Sequence, residues 1–182
     1  ATESNNLAIQ GLARSSPEKR KIITSSIEHP SINEVCNYLK TQNYKIIKIP
    51  VTKEGIINLD ILSSEIKSNL SNILLVSVMH VNNIIGTIQD IEKIGLICKL
   101  NNIPFHTDAV QSFGKIKIDV KKCNISLLSA SGHKIGAPKG TGLLYINERI
   151  NISQIIFGGG QERNLRSGTE NVHGIIGMSK AL

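Results

Sequence analysis

The residues best suited to chemistry lie at positions 131–134, which read Ser-Gly-His-Lys and lead into a glycine-rich turn. They close an apolar, β-prone run at residues 125–131, which predicts a buried strand ending in this loop. Open α/β sheets place their ligands at such strand ends. An amine held there, that of Lys134, can attack a carbonyl carbon and form an imine. The alternative is a surface lysine in a glycine-rich turn, and these four residues do not decide between the two.

Three more polar residues stand at or just beyond the ends of other apolar runs. They are His29, Asn83 and Asp108, and the runs lie at residues 21–25, 73–79 and 103–108. A carboxylate at the tip of an apolar strand is costly unless a cation meets it, and a protonated pyridine nitrogen would be such a partner. For the histidine and the asparagine, the simpler interpretation is a local hydrogen bond or turn within the loop.

The elements that must position these residues alternate along the chain. Short apolar runs predict strands at residues 21–25, 45–50, 73–79, 103–108, 125–131 and 142–146. Helical spacing of apolar residues predicts helices at residues 2–13, 30–42, 59–70 and 90–101, and another that begins near Glu170. This alternation predicts an α/β fold with a mainly parallel sheet flanked by helices. The carboxyl ends of its strands would share one edge.

Three helix starts have recognisable capping residues. Thr2 is the expected N-cap of the first helix, Ser31 with Glu34 matches a capping box after Pro30, and Thr169 is the expected cap of the last helix. A helix start also suits a phosphate, because its N–H groups are free and its dipole is positive there. An N-cap threonine alone is usually only a cap.

Composition limits the possible functions. A chain of 182 residues with 40% hydrophobic residues can bury one sizeable core, and it is too short for two full domains. The net charge of +7 raises the possibility of a nucleic-acid partner, but aromatic residues make up only 3% and the lysines are scattered. No apolar run approaches a membrane span. We therefore expect no nucleic-acid partner and no membrane partner.

The cysteines indicate a reducing compartment. Cys36, Cys98 and Cys123 are odd in number and far apart, which argues against a disulfide framework and against a zinc site. We expect a cytoplasmic protein.

Two glycine-rich segments resemble nucleotide-binding loops only superficially. Residues 136–141 have the composition of a P-loop, but Lys139 is followed by glycine and the glycine spacing is wrong. Residues 158–160 lack the later glycine of a dinucleotide fingerprint. Neither segment indicates a nucleotide.

A lysine that can form an imine, an aspartate that can pair with a pyridinium nitrogen and a helix start for a phosphate together describe a pyridoxal phosphate site. Six motifs then occur in a characteristic order. They are Ala-Thr-Glu-Ser-Asn-Asn at 1–6, Glu-His at 28–29, His-Val-Asn-Asn with Ile-Gly at 80–86, Asp-Ala-Val-Gln-Ser at 108–112, Ser-Gly-His-Lys at 131–134 and Arg-Ser-Gly-Thr at 166–169. The sequence resembles, over nearly all its length, the cysteine desulfurases of iron–sulfur cluster assembly. These form part of the class V aminotransferase branch of fold-type I pyridoxal phosphate enzymes.

The resemblance implies roles for individual residues. Lys134 matches the lysine that bonds the cofactor, Asp108 matches the partner of the pyridine nitrogen, and His29 matches the ring-stacking histidine, which can act as acid or base. The implied phosphate contacts are Ala1, Thr2, Ser131, His133 and, from the second subunit of a homodimer, Thr169. The implied contacts to the ring substituents are Asn83 and Gln111.

The resemblance also implies a reaction and partners. Family members convert L-cysteine to L-alanine and pass the sulfur, as an enzyme persulfide, to an iron–sulfur scaffold or another acceptor protein. In the family, the persulfide cysteine and the arginine that binds the substrate carboxylate correspond to positions beyond Leu182. None of the three cysteines matches the nucleophile, and buried structural thiols are expected. Residues 1–182 are therefore expected to be a cofactor-binding large domain, truncated at both ends and inactive alone.

Two alternatives remain open at this stage. One is another enzyme of the same branch, such as a selenocysteine lyase or an aminotransferase for a different amino acid. The other is a non-catalytic remnant that keeps the fold and has lost turnover.

Overall fold

One six-stranded sheet forms the centre of the computed structural model, which describes residues 1–182. Its strands are β1 (Lys21–Ser25), β2 (Lys45–Ile49), β3 (Ile73–Ser77), β4 (Phe105–Asp108), β5 (Leu127–Ser131) and β6 (Gly142–Ile146). The order across the sheet is β2-β1-β3-β4-β5-β6. The first five strands run parallel, and β6 pairs antiparallel with β5. The prediction of a mainly parallel α/β sheet is confirmed.

Helices cover both faces of this sheet. They are α1 (Thr2–Ser15), α2 (Pro30–Thr41), α3 (Leu59–Asn69), α4 (Ile91–Leu100), the single turn α5 (Gln161–Asn164) and α6 (Val172–Ala181). Two apolar cores result, one between the sheet and α1 with α2, the other between the sheet and α3 with α4. Ile22 and Ile23 are neighbours in β1 yet join different cores, because successive side chains of a strand point to opposite faces.

The central strands are buried on both faces. Every residue of β3, β4 and β5 is buried, whereas β6 is only partly covered. This is why β3 reads as a continuous apolar run, since a parallel strand between two helix layers has no solvent face. The arrangement leaves the polar residues at the strand ends as the groups free to meet a ligand.

The helix starts differ from the sequence prediction. Ala1, and not Thr2, is the N-cap of α1, and no side chain caps this helix. The N-cap of α2 is His29, whose ring accepts from the backbone N–H of Ser31, so the expected Ser31 capping box is wrong. The last helix begins after Asn171 and not after Thr169, because the Asn171 side chain accepts from a first-turn N–H.

No helix of the structure has the length and apolar character that crossing a membrane requires.

Helix α4 packs closely against the backbone of the segment before β5 at Gly95. A Cβ added at Gly95 would lie 1.8 Å from the carbonyl oxygen of Cys123, in the segment before β5. Helix propensity alone favours alanine over glycine by about 1 kcal/mol, but this contact forces the helix to move. We expect Gly95→Ala to lower the free energy of unfolding by about 3 kcal/mol in urea denaturation, as overpacking does.

The matched control is Leu96→Ala, at the next position of α4, whose side chain is 49% exposed. It should change the free energy of unfolding by less than about 1 kcal/mol. Equal stability of Gly95→Ala and the wild type would contradict the packing described for α4.

Candidate functional site

Asp108 and Lys134 lie at the carboxyl ends of neighbouring strands. Asp108 is the last residue of β4, and the register places it opposite Ser129 in β5. Two residues later β5 ends at Ser131, and Lys134 follows within the 3₁₀ turn Gly132–Ile135. The Lys134 side chain is exposed. The structure thus brings the predicted acid and the predicted amine to one edge of the sheet.

The start of α1 lies beside the end of β5. The backbone nitrogen of Ala1 is 3.1 Å from the point where a Cβ on Gly142 would stand, and Gly142 pairs with Ser131. Because α1 has no side-chain cap, the N–H groups of its first turn are free for an anion, next to the exposed Thr2 hydroxyl. Ser131 Oγ lies 2.7 Å from His133 Nδ1, so two predicted phosphate ligands are in contact.

The Asp108 carboxylate is buried and held by two donors. Its Oδ1 accepts from the backbone N–H of Val110 at 3.0 Å, and its Oδ2 accepts from the side-chain amide of Asn5 at 2.9 Å. None of the three ion pairs between side chains includes Asp108. A buried carboxylate without a side-chain cation is suited to a cationic ligand group.

His29 lies between the end of β1 and the start of α2, as predicted. Its Nδ1 accepts from the backbone N–H of Ser31 at 3.1 Å and lies 2.8 Å from Ser31 Oγ. The same Oγ accepts from Asn5 at 2.8 Å. Three hydrogen bonds therefore join the histidine to Asp108. The local interpretation of His29 and its predicted place at the strand ends are both correct.

Asn83, Gln111 and Thr169 make no side-chain hydrogen bonds. Asn83 is exposed in the loop after β3, and the turn there is organised by the buried Asn82, which accepts from two backbone N–H groups. Gln111 is partly buried in the turn after Asp108. Thr169 is exposed before α6. The structure leaves all three side chains available without placing them against the other predicted residues.

One ion pair brings the Thr169 segment towards α1. Arg166 donates to both carboxylate oxygens of Glu3, at 2.6 and 3.1 Å. Glu3 raises the pKa of the Arg166 guanidinium, and the hydrogen bond from Arg166 lowers the pKa of the Glu3 carboxyl. The pair is partly exposed, so its contribution to stability is small.

Glu28 is a buried acid for which the sequence motifs predict no role. Its Oε1 accepts from the Ser25 hydroxyl and from the backbone N–H of Met79 at 3.0 Å, while Oε2 has no partner. Burial raises the pKa of Glu28 to about 8, so the neutral acid predominates at pH 7. The residue precedes His29 in the chain and links Ser25, at the end of β1, to Met79, just after β3.

His106 is a second buried titratable group and links three strands. Its Nδ1 lies 2.8 Å from the hydroxyl of Ser77 in β3, and its Nε2 lies 3.0 Å from that of Ser129 in β5. Burial lowers the pKa of His106 to about 3, so the ring is neutral.

The three cysteines are free and buried, as expected. Burial raises the pKa of Cys36 and Cys98 to about 12 and also raises that of Cys123. A buried, protonated thiol is a poor nucleophile. None of these residues is suited to receive sulfur.

Comparison with known proteins decides the family. The profile described as Aminotransferase class-V matches residues 1–182. The chain belongs to this family. Two curated relatives are named cysteine desulfurase IscS, one from Methanosarcina thermophila at 50% identity over 181 residues and one from Ehrlichia chaffeensis at 51% over 185 residues. The alignments cover 99% and 100% of the chain but only 44% of each relative.

Solved structures agree with this family. A NifS-like protein superposes with a TM-score of 0.93 at 41% identity, over 99% of this chain and 50% of that one. The structure described as SspA in complex with cysteine superposes with a TM-score of 0.94 at 43% identity, over 99% of this chain and 52% of that one. The resemblance inferred from the sequence motifs is confirmed.

Class V aminotransferases use pyridoxal phosphate, and the residues present fit it. The buried Asp108 lacks a side-chain cation and can meet a protonated pyridine nitrogen. The uncapped start of α1, beside Ser131 and His133, suits a phosphate. The exposed Lys134 provides an amine for an aldehyde. These groups meet at one edge of the sheet.

The buried Glu28 and His106 should give the free energy of unfolding an unusual dependence on pH. Folding raises the pKa of Glu28 from 4.5 to about 8, so stability falls as pH rises from 4.5 to 8. Folding lowers the pKa of His106 from 6.5 to about 3, so stability falls as pH drops from 6.5 to 3. The two effects cancel between pH 4.5 and 6.5. We expect a plateau there and a loss of up to about 1.4 kcal/mol per pH unit on either side.

Urea denaturation at closely spaced pH values from 3 to 9 measures this profile. Glutamine has a shape similar to glutamate but cannot ionise. Glu28→Gln should therefore abolish the decrease in the free energy of unfolding above pH 6.5. The exposed Glu148→Gln is the control and should keep the wild-type profile. An alkaline fall of equal slope in Glu28→Gln would show that another group is responsible.

Proposed function

We propose that residues 1–182 form the pyridoxal phosphate-binding large domain of a cysteine desulfurase. Such an enzyme converts L-cysteine to L-alanine and transfers the sulfur to an enzyme persulfide. The main support is the placement of Lys134 and Asp108 at neighbouring strand ends, where one amine and one acid can meet opposite ends of a single aromatic aldehyde. Because the chain spans only 44% of the curated relatives, the activity of the whole protein is part of the proposal.

Each site residue has a proposed task. Lys134 would bond the aldehyde carbon of the cofactor, Asp108 would pair with its pyridine nitrogen, and His29 would stack on the ring. The proposed phosphate ligands are Ala1, Thr2, Ser131 and His133, with Thr169 contributed by a second subunit. The proposed contacts to the ring substituents are Asn83 and Gln111.

Proton movement follows from these positions. Pyridoxal phosphate, when bound, supplies a ring that withdraws electrons from the substrate Cα. The Asp108 carboxylate is fixed in place by its two donors, Asn5 and Val110, and would stabilise a positive charge at the ring nitrogen. Lys134 lies in an exposed turn, and its amine, when it is not bonded to the cofactor, would be able to take up and return the Cα proton.

The proposal includes partners and a location. L-Cysteine as substrate is supported by the relatives' names and by the cysteine in the SspA structure. A homodimer is supported by α6, where Val172, Ile175 and Ile176 are about half exposed. An iron–sulfur scaffold or another acceptor protein would receive the sulfur, and three free thiols fit a cytoplasmic location.

The covalent site can be mapped directly. After incubation with pyridoxal phosphate and reduction with borohydride, mass spectrometry of peptides should find the pyridoxyl group on Lys134. Lys134→Arg should lose nearly all of the label, because the guanidinium is a far weaker nucleophile than the lysine amine. The control is Lys139→Arg in the same glycine-rich turn, which should be labelled like the wild type. Labelling mainly at another lysine, or at none, would contradict the proposed cofactor site.

Because its three thiols are buried, we expect this chain to have little desulfurase activity. With pyridoxal phosphate and L-cysteine, the 182-residue chain should release little or no sulfide, because no accessible thiolate can take the sulfur. A sulfide assay with parallel quantification of alanine measures this, and a full-length relative serves as the positive control. Replacing Cys36, Cys98 and Cys123 by alanine should not change the low background. Robust sulfide release would show that one of them, or another acceptor, acts in sulfur transfer.

A further inference from the structure

Asn5 is a fully buried amide whose two N–H groups are both used at the site. One donates to Asp108 Oδ2 at 2.9 Å and the other to Ser31 Oγ at 2.8 Å. The amide orientation follows from chemistry, because a flipped amide would place its oxygen against the carboxylate. Its Oδ1 is buried without a partner, which costs stability. The two donated bonds, and not packing, account for an asparagine at this position.

The Ser31 hydroxyl links Asn5 to His29, since it accepts from the amide and can donate to the ring. Since its Oγ accepts from Asn5, its own hydroxyl hydrogen is free to donate to His29 Nδ1 at 2.8 Å. The backbone N–H of Ser31 donates to the same nitrogen at 3.1 Å. A nitrogen that accepts two hydrogens cannot carry one itself. The neutral ring therefore has its proton on Nε2.

We propose that Asn5 and Ser31 are positioning residues that join the Asp108 carboxylate to the His29 imidazole and keep Nδ1 of that ring unprotonated. This inference deepens the proposed function, since it depends on Asp108 and His29 serving the same cofactor. In the neutral ring, Nε2 of His29 is then the nitrogen that can donate a hydrogen bond. To accept a proton at Nε2, the ring would first have to lose its Nε2 proton and gain one at Nδ1, which would then give up both bonds from Ser31.

The path also connects three separate elements of the fold. Asn5 belongs to α1, Ser31 to the first turn of α2, and Asp108 to the end of β4. The Asp108 carboxylate is therefore oriented both by its own loop, through Val110, and by α1. A change at Asn5 should disturb His29 and Asp108 together, although the asparagine itself bonds only one of them.

Imidazole nitrogen NMR tests the inference on the purified chain without pyridoxal phosphate. Long-range proton–nitrogen spectra report which ring nitrogen is protonated, and His29→Gln assigns the signal. We expect an unprotonated, hydrogen-bonded Nδ1 in the wild type. Ser31→Ala should move this resonance towards that of a free lone pair, and Ser31→Thr, which restores the hydroxyl, should return it. Asn5→Leu should shift it in the same direction as Ser31→Ala but by less.

Two comparisons complete the experiment. Combining Asn5→Leu with Ser31→Ala should shift the resonance no further than Ser31→Ala alone, because Asn5 acts through the serine. Asn37→Leu, an exposed position on α2, is the control and should leave the signal unchanged. Spectrophotometric titration should show pyridoxal phosphate binding about tenfold weaker in Asn5→Leu, which removes a donor to the charged Asp108.

Each outcome bears on the inference separately from the proposed function. A wild-type His29 with its proton on Nδ1, or identical spectra for Ser31→Ala and Ser31→Thr, would overturn it. The Ser31 pair gives this answer even where Asn5→Leu fails to fold. Failure of the proposed function would appear instead as a missing pyridoxyl label on Lys134, with the His29 spectra unaffected.

Discussion

The parallel pairing of β4 with β5 is the constraint on which the site depends. Parallel strands end on the same side, so Asp108 and Ser131 leave the sheet at the same edge, and the turn after β5 presents Lys134 at that edge. The helix layers on both faces keep these strands dry, which makes an unpaired carboxylate expensive. The same exclusion of water strengthens the electrostatic interaction of the carboxylate with any cationic group that binds it.

Much of this architecture could be predicted from the order of short apolar runs. All six strands begin within two residues of their predicted starts, and β1 and β6 have the predicted bounds. Predicting the strands also predicted the edge at which His29, Asp108 and Lys134 gather, because the carboxyl ends of parallel strands coincide. The family resemblance then assigned the roles that strand patterns cannot assign.

The capping errors are local shifts of one or two residues, whereas the omitted contacts depend on partners distant in sequence. Thr2 and Thr169 have side chains typical of N-caps, but backbone placement gives those positions to Ala1 and Asn171. The bond from Asn5 to Asp108 spans 103 residues, and the bond from Met79 to Glu28 spans 51. Local capping rules and periodicity carry no information about such pairs. A buried polar residue inside a motif is the only signal that could have indicated them.

The uncapped helix α1 contributes to two parts of the site, and both contributions come from the same rigid helix. Its first turn offers free N–H groups for an anion, and one turn later Asn5 supports the carboxylate of β4. Successive residues of a helix are rotated by about 100° from one another. A single inserted residue between Thr2 and Asn5 would therefore swing the amide away from Asp108, whereas many exchanges of side chain there would not. Over evolutionary time, this segment should accept substitutions at its exposed positions and reject changes in its length.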